Sequence, residues 1–89
     1  MVLVFLANGF EEIEALATVD VLRRAGLEVV TAGVGGKRIR GSHGILVAAD
    51  KEDTDVSVEN LEAVVLPGGM PGTLNLEKSP VVQRVVEYA

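Results

Sequence analysis

The residues of this chain best suited to chemistry are a pair of glycines and a group of glutamates. Leu61 to Gly72 reads LEAVVLPGGMPG, in which the charge-free, β-branched run Ala63-Val64-Val65-Leu66 stops at Pro67-Gly68-Gly69. Such a run is expected to be a strand buried on both faces, ending in a sharp turn. In open parallel sheets that carboxyl end is where loops converge and ligands sit, near the positive start of the following helix. Gly68 and Gly69 can adopt φ > 0 and let another group approach their backbone N–H groups, as an oxyanion or carboxylate pocket requires. The same tripeptide also serves simply to break a strand.

The glutamates lie earlier. Glu11, Glu12 and Glu14 crowd the first turn of a helix whose last turn carries Arg23 and Arg24 before a Gly26 stop. Their charges complement the helix dipole, which by itself explains all three. A buried carboxylic acid beside a thiol does something further: it donates to the thiolate or shuttles a proton. Ser42 stands next to His43, and neighbours in extended chain point to opposite faces, so the two are not expected to form a hydroxyl and base pair. His43 has no second His and no Cys at ligand spacing, which reads as a surface or pocket-wall residue. The loop Gly33-Val34-Gly35-Gly36-Lys37 lacks the phosphate-loop spacing and reads as a surface turn. Asp50, Glu52, Asp53 and Asp55 lack the calcium-loop pattern and read as a solvated connection. No metal and no cofactor is expected.

The elements that must position these groups follow from hydrophobic patterning. Val2 to Ala7 is a continuous apolar run, as in a central parallel strand. Leu27 to Ala32 is a second strand that completes a β-α-β unit. Lys37 to Arg40 and Ile45 to Ala48 form a small β excursion with a solvated basic face. A short helical turn is expected within Val56 to Leu61, and a brief helical segment at Thr73 to Leu76. Ser79-Pro80 supplies an N-cap and a first-turn proline, and Val81, Val82, Val85 and Val86 form the inner stripe of a last helix. The order is β-α-β-(ββ)-β-α, an α/β layer fold in one domain over residues 1–89. The first helix, with Ile13, Leu16, Val19, Val21 and Leu22, is apolar beyond one stripe, which suggests burial by its own sheet and by a second subunit.

Composition narrows the function. With 89 residues, 48% of them hydrophobic, the chain holds more apolar material than so small an open sheet normally covers. Part of that surface is expected to be covered by something outside the sequence. A net charge of −5 argues against nucleic acid. The apolar start lacks a basic region and is too short to span a membrane, so the cytoplasm is the expected compartment. The absence of cysteine removes a disulfide framework, a thiolate metal site and a cysteine nucleophile from these residues.

Three motifs together, Asn8-Gly9-Phe10-Glu11-Glu12-Ile13-Glu14, Val19-Asp20-Val21-Leu22-Arg23-Arg24-Ala25-Gly26 and Val65-Leu66-Pro67-Gly68-Gly69, closely resemble the DJ-1/ThiJ/PfpI superfamily. The resemblance covers essentially the whole chain and corresponds to the N-terminal half of a single-domain member. It implies a flavodoxin-like three-layer sandwich with a mainly parallel sheet, completed by a C-terminal segment that carries the reactive cysteine on a strained turn. It further implies that Glu14 hydrogen-bonds that cysteine, that Gly68 and Gly69 furnish oxyanion amides, and that His43 and Met70 border the substrate. His43 stands where some members have an arginine, which puts that arginine's anion contact in doubt. The Asp20 region of the first helix matches the surface through which such proteins form homodimers. The implied activities are glyoxalase or deglycase chemistry on small reactive carbonyls, with redox sensing or chaperoning, intracellular peptidase action and an amidotransferase-like role as rivals. The Glu-Glu-x-Glu helix start argues against the last.

Overall fold

The computed structural model describes all of residues 1–89. Strand β1 (Val2–Leu6) is fully buried and forms the centre of a parallel sheet, flanked by β2 (Val29–Gly33) and β6 (Ala63–Val65). The register sets Val2 opposite Val29 and Ala63, and Val4 opposite Thr31 and Val65. Between β2 and β6 the chain makes an antiparallel hairpin, β3 (Arg38–Arg40) with β4 (Leu46–Ala48), and then a two-residue strand β5 (Lys51–Glu52) parallel to β2. The order across the sheet is β5-β2-β1-β6. The chain forms three helices, α1 (Glu12–Arg24), α2 (Gly72–Lys78) and α3 (Pro80–Tyr88), of which α1 and α3 have side-chain N-caps in Glu11 and Ser79.

Alternation along β1 divides the core in two, because successive strand side chains point to opposite faces. Val2, Val4 and Leu6 pack with Phe10, Ala15, Val19 and Ile39 on the α1 side. Leu3, Phe5 and Ala7 pack with Leu76, Val82 and Val85 on the side of α2 and α3. The result is a three-layer α/β sandwich of the expected flavodoxin-like kind.

The local signals act where the residues place them. Arg23 and Arg24 close α1, and the Leu27 amide donates back to the Leu22 carbonyl, so β2 starts two residues later than its apolar run. Ser79 Oγ accepts from the Val82 amide at 3.2 Å, and Pro80 occupies the first helical position of α3.

Three expectations need correction. Strand β6 is not buried on both faces: Ala63 is exposed and Val64 and Val65 only half-buried, because β6 is an edge of this sheet. The acidic stretch after Ala49 is exposed apart from Asp53, yet it is more than a connection. Its residues 51–52 join the sheet, and the Asp50 carboxylate accepts from the Thr31 amide at 2.9 Å and from Arg23 at 2.8 Å, while Thr31 Oγ1 accepts from the Asp50 amide. Partial burial pushes the Asp50 carboxyl up, but these bonds outweigh it and hold the group below its ordinary value. The short helical turn lies at Asp53–Asp55 instead of within residues 56–61.

Candidate functional site

Two loops meet at the carboxyl end of the sheet, one after β1 and one after β6. They pack backbone against backbone. The Gly68 carbonyl accepts from the Glu11 amide at 2.9 Å, and Asn75 Nδ2 donates to the Asn8 carbonyl at 2.6 Å. Gly69 has φ +109°, and a Cβ there would stand 2.6 Å from the Glu11 nitrogen, so both its conformation and its crowding demand glycine. Its carbonyl accepts from the amide and the hydroxyl of Thr73, which fastens the loop to the start of α2.

This packing brings Glu14 to Gly68. A Cβ on Gly68 would lie 3.2 Å from Glu14 Oε1, so the carboxylate rests against the glycine with room for nothing between them. The Gly68 and Gly69 amides donate to no group of the chain and remain available beside that carboxylate. One sequence expectation fails here: Glu14 is exposed, and no element of these residues buries it. Met70 is 64% exposed and shares with Asn8, Gly9, Arg40, Ser42 and Pro71 a cleft of about 420 Å³.

His43 is elsewhere. It sits at the tip of the β3–β4 hairpin, where it borders a smaller recess with Glu11, Glu12, Ile13 and Ile45. The two expected substrate contacts, His43 and Met70, therefore line different cavities.

The residue that sequence reasoning missed is Glu12. It is only 4% exposed, and the hairpin tip wraps its carboxylate. Oε2 accepts from the His43 amide at 2.8 Å and from the Ile45 amide at 3.3 Å, while Oε1 lies 3.0 Å from His43 Nδ1 and 3.4 Å from Ser42 Oγ. Burial pushes this carboxyl up, but the histidine ring and the surrounding amides overcome that and hold it at about 2. The hydrogen bond that His43 donates to the Glu12 carboxylate, together with that carboxylate's charge, raises His43. Gly41 has no freedom to change, since a Cβ on it would overlap the Glu12 carboxylate. The signal that could have found Glu12 is the Gly41-Ser42-His43-Gly44 turn, whose bare amides need an acceptor.

Ser42 and His43 do meet, contrary to expectation, because they occupy a turn and not extended chain. Ser42 Oγ lies 3.1 Å from His43 Nδ1. The contact is nevertheless no catalytic dyad: serine and glutamate share one ring nitrogen, whereas a triad sets acid and hydroxyl on opposite nitrogens. Glu11, Glu12 and His43 also bring three ligand-type atoms within 4.8 Å of one another. Glu12's oxygens are already spent on four donors, so this grouping is a closed hydrogen-bond network.

The outer face of α1 carries Ile13, 77% exposed, and Val21, 62% exposed, near an Asp20–Arg24 ion pair of 3.0 Å. No helix of the chain is long and apolar enough to cross a membrane.

With this geometry in view, the similarities to known proteins are specific. Residues 1–89 match the sequence model of the DJ-1/PfpI family. The Parkinson disease protein 7 homolog of Danio rerio is 40% identical over 87 residues, which cover 96% of this chain and 46% of that protein. The glutathione-independent glyoxalase DJR-1.2 of Caenorhabditis elegans is 34% identical over 77 residues, covering 86% of this chain and 41% of the relative. Among solved structures, oxidized Toxoplasma gondii DJ-1 superposes with a TM-score of 0.93 at 40% identity, over 98% of this chain and 48% of that one. The chain thus spans about half the length of the relatives it matches.

Proposed function

Because this chain belongs to the DJ-1/PfpI family, we propose that it forms the acid and oxyanion side of a cysteine-dependent site acting on small reactive carbonyls, in the manner of a glyoxalase or deglycase. The nucleophilic cysteine comes from the remaining, C-terminal segment of the protein. The observation that carries this reading is the Glu14 carboxylate resting against Gly68, with the Gly68 and Gly69 amides unengaged beside it.

In this reading each group takes a step. A thiolate adds to the aldehyde carbon, and the oxygen that gains the electron pair is held by the two glycine amides. Glu14 stands where it relays the proton between sulfur, carbon and oxygen. Met70 walls the adjoining cleft and sets its apolar side. His43 is assigned no contact with substrate, since it is engaged by Glu12. The apolar outer face of α1 around Ile13, Asp20 and Val21 is where a second copy packs.

The test is turnover of methylglyoxal by the complete protein. Glu14→Gln keeps the shape of the side chain and removes its ability to take up and release a proton, so activity falls by about two orders of magnitude or more, the usual share of a general acid–base group. Wild-type rates in that variant, with the fold intact by circular dichroism, reject the assignment. If the wild-type protein turns over no carbonyl while a cysteine is reversibly oxidised by peroxide, a redox-sensing role of the same pocket takes its place.

A further inference from the structure

A second cleft, also of about 420 Å³, lies on the opposite layer, and the function proposed above makes no use of it. Three neighbouring parallel strands deliver their carboxyl ends to it: Ala7 and Asn8 follow β1, Val34 and Gly35 follow β2, and Asp53 follows β5. Its far wall is the junction of α2 and α3, with Lys78 and Ser79. This is the edge of an α/β sheet at which small molecules bind.

Asp53 marks the cleft as more than a groove. The residue is only 8% exposed, yet its carboxylate makes no hydrogen bond and no ion pair with the rest of the chain. Every fully buried side-chain oxygen in the molecule has a partner, so the Asp53 oxygens must keep their residual access through the cleft that the residue lines. A carboxylate withdrawn from water without a partner is costly, and the cost is offset only when something cationic or donating enters. The start of α3 packs near the Asp53 turn and offers a partial positive charge, but Ser79 already caps its Val82 amide and Pro80 has none to give. Lys78 lines the same cleft and is likewise in no ion pair. Two opposite charges therefore line one cavity without meeting, in company with the neutral side chains of Asn8, Asn75 and Ser79.

We propose that this cleft binds a small zwitterion of the α-amino-acid or dipeptide class, its ammonium group held by Asp53 and its carboxylate by Lys78. A cation alone leaves Lys78 unanswered, and an anion alone meets the charge of Asp53. A ligand carrying both charges satisfies the two walls.

The experiment is calorimetric titration of the complete protein with L-alanine and with glycylglycine, set against acetate, methylammonium and magnesium ion. Either zwitterion binds, and acetate, methylammonium and magnesium bind at least about tenfold more weakly, the loss of one charge-assisted contact. Asp53→Asn and Lys78→Met each weaken the zwitterion by about that factor. Unchanged affinity in either variant overturns the proposal, as does equal binding of acetate, methylammonium or magnesium, or no binding of either zwitterion. Should Asp53→Asn fail to fold, the exposed Lys78→Met decides alone.

Discussion

Glu12 and Glu14 are the same residue type two positions apart, yet they do unlike work because a helix turns roughly 200° between them. Glu12 faces the hairpin and is spent on structure, while Glu14 faces Gly68 and keeps its carboxylate free. The Glu12–His43 contact has a definite pH signature. Glu12, held at about 2, contributes its stabilisation fully above its ordinary value of 4.5 and loses it as pH falls toward the lowered value. His43 is raised, so its contribution is complete below 6.5 and is lost as pH rises through the raised value. Both are present together between pH 4.5 and 6.5. Glu12→Gln should therefore lower the melting temperature of the complete protein most within that window and less on either side. Melts that differ by a constant amount at every pH would remove the ion pair from the account. Sequence periodicity exposed the glutamate cluster but not this division of labour, because the hairpin that claims Glu12 lies some thirty residues away in the chain.

Among the elements, the helix ends were the most legible part of the chain, since capping depends on residues within one turn. Ser79 and Pro80 start α3, and Arg23, Arg24 and Gly26 finish α1, where their types say they should. Replacing Ser79 by Ala removes the oxygen that serves the Val82 amide and should cost about 1 kcal/mol of stability, read from denaturant unfolding of the complete protein. An effect near zero would mean that packing of Val82 and Val85 alone holds the helix start. Strand β5 was illegible for the complementary reason. Two polar residues, Lys51 and Glu52, carry no hydrophobic period, and only the exposed edge of β2 gives their backbone a partner.

At the scale of the molecule, the exposed flank of β6 and the apolar outer face of α1 have no cover within residues 1–89. Relatives of about twice this length fit that view. Residues 1–89 expressed alone should unfold without a sharp transition and associate through β6. A sharp thermal transition with a monomeric elution volume would contradict this. By itself the sequence determined the layered α/β architecture, the central strand, the helix ends and the glycine turn, because each rests on contacts or dihedral preferences within a few residues. Only the tertiary structure decided that Ser42 and His43 converge on Glu12, that Met70 and His43 part company, and that Asp53 lines a cleft unpaired. Those facts depend on where distant turns come to rest when the two faces of β1 are packed, and no local pattern of residue types encodes that.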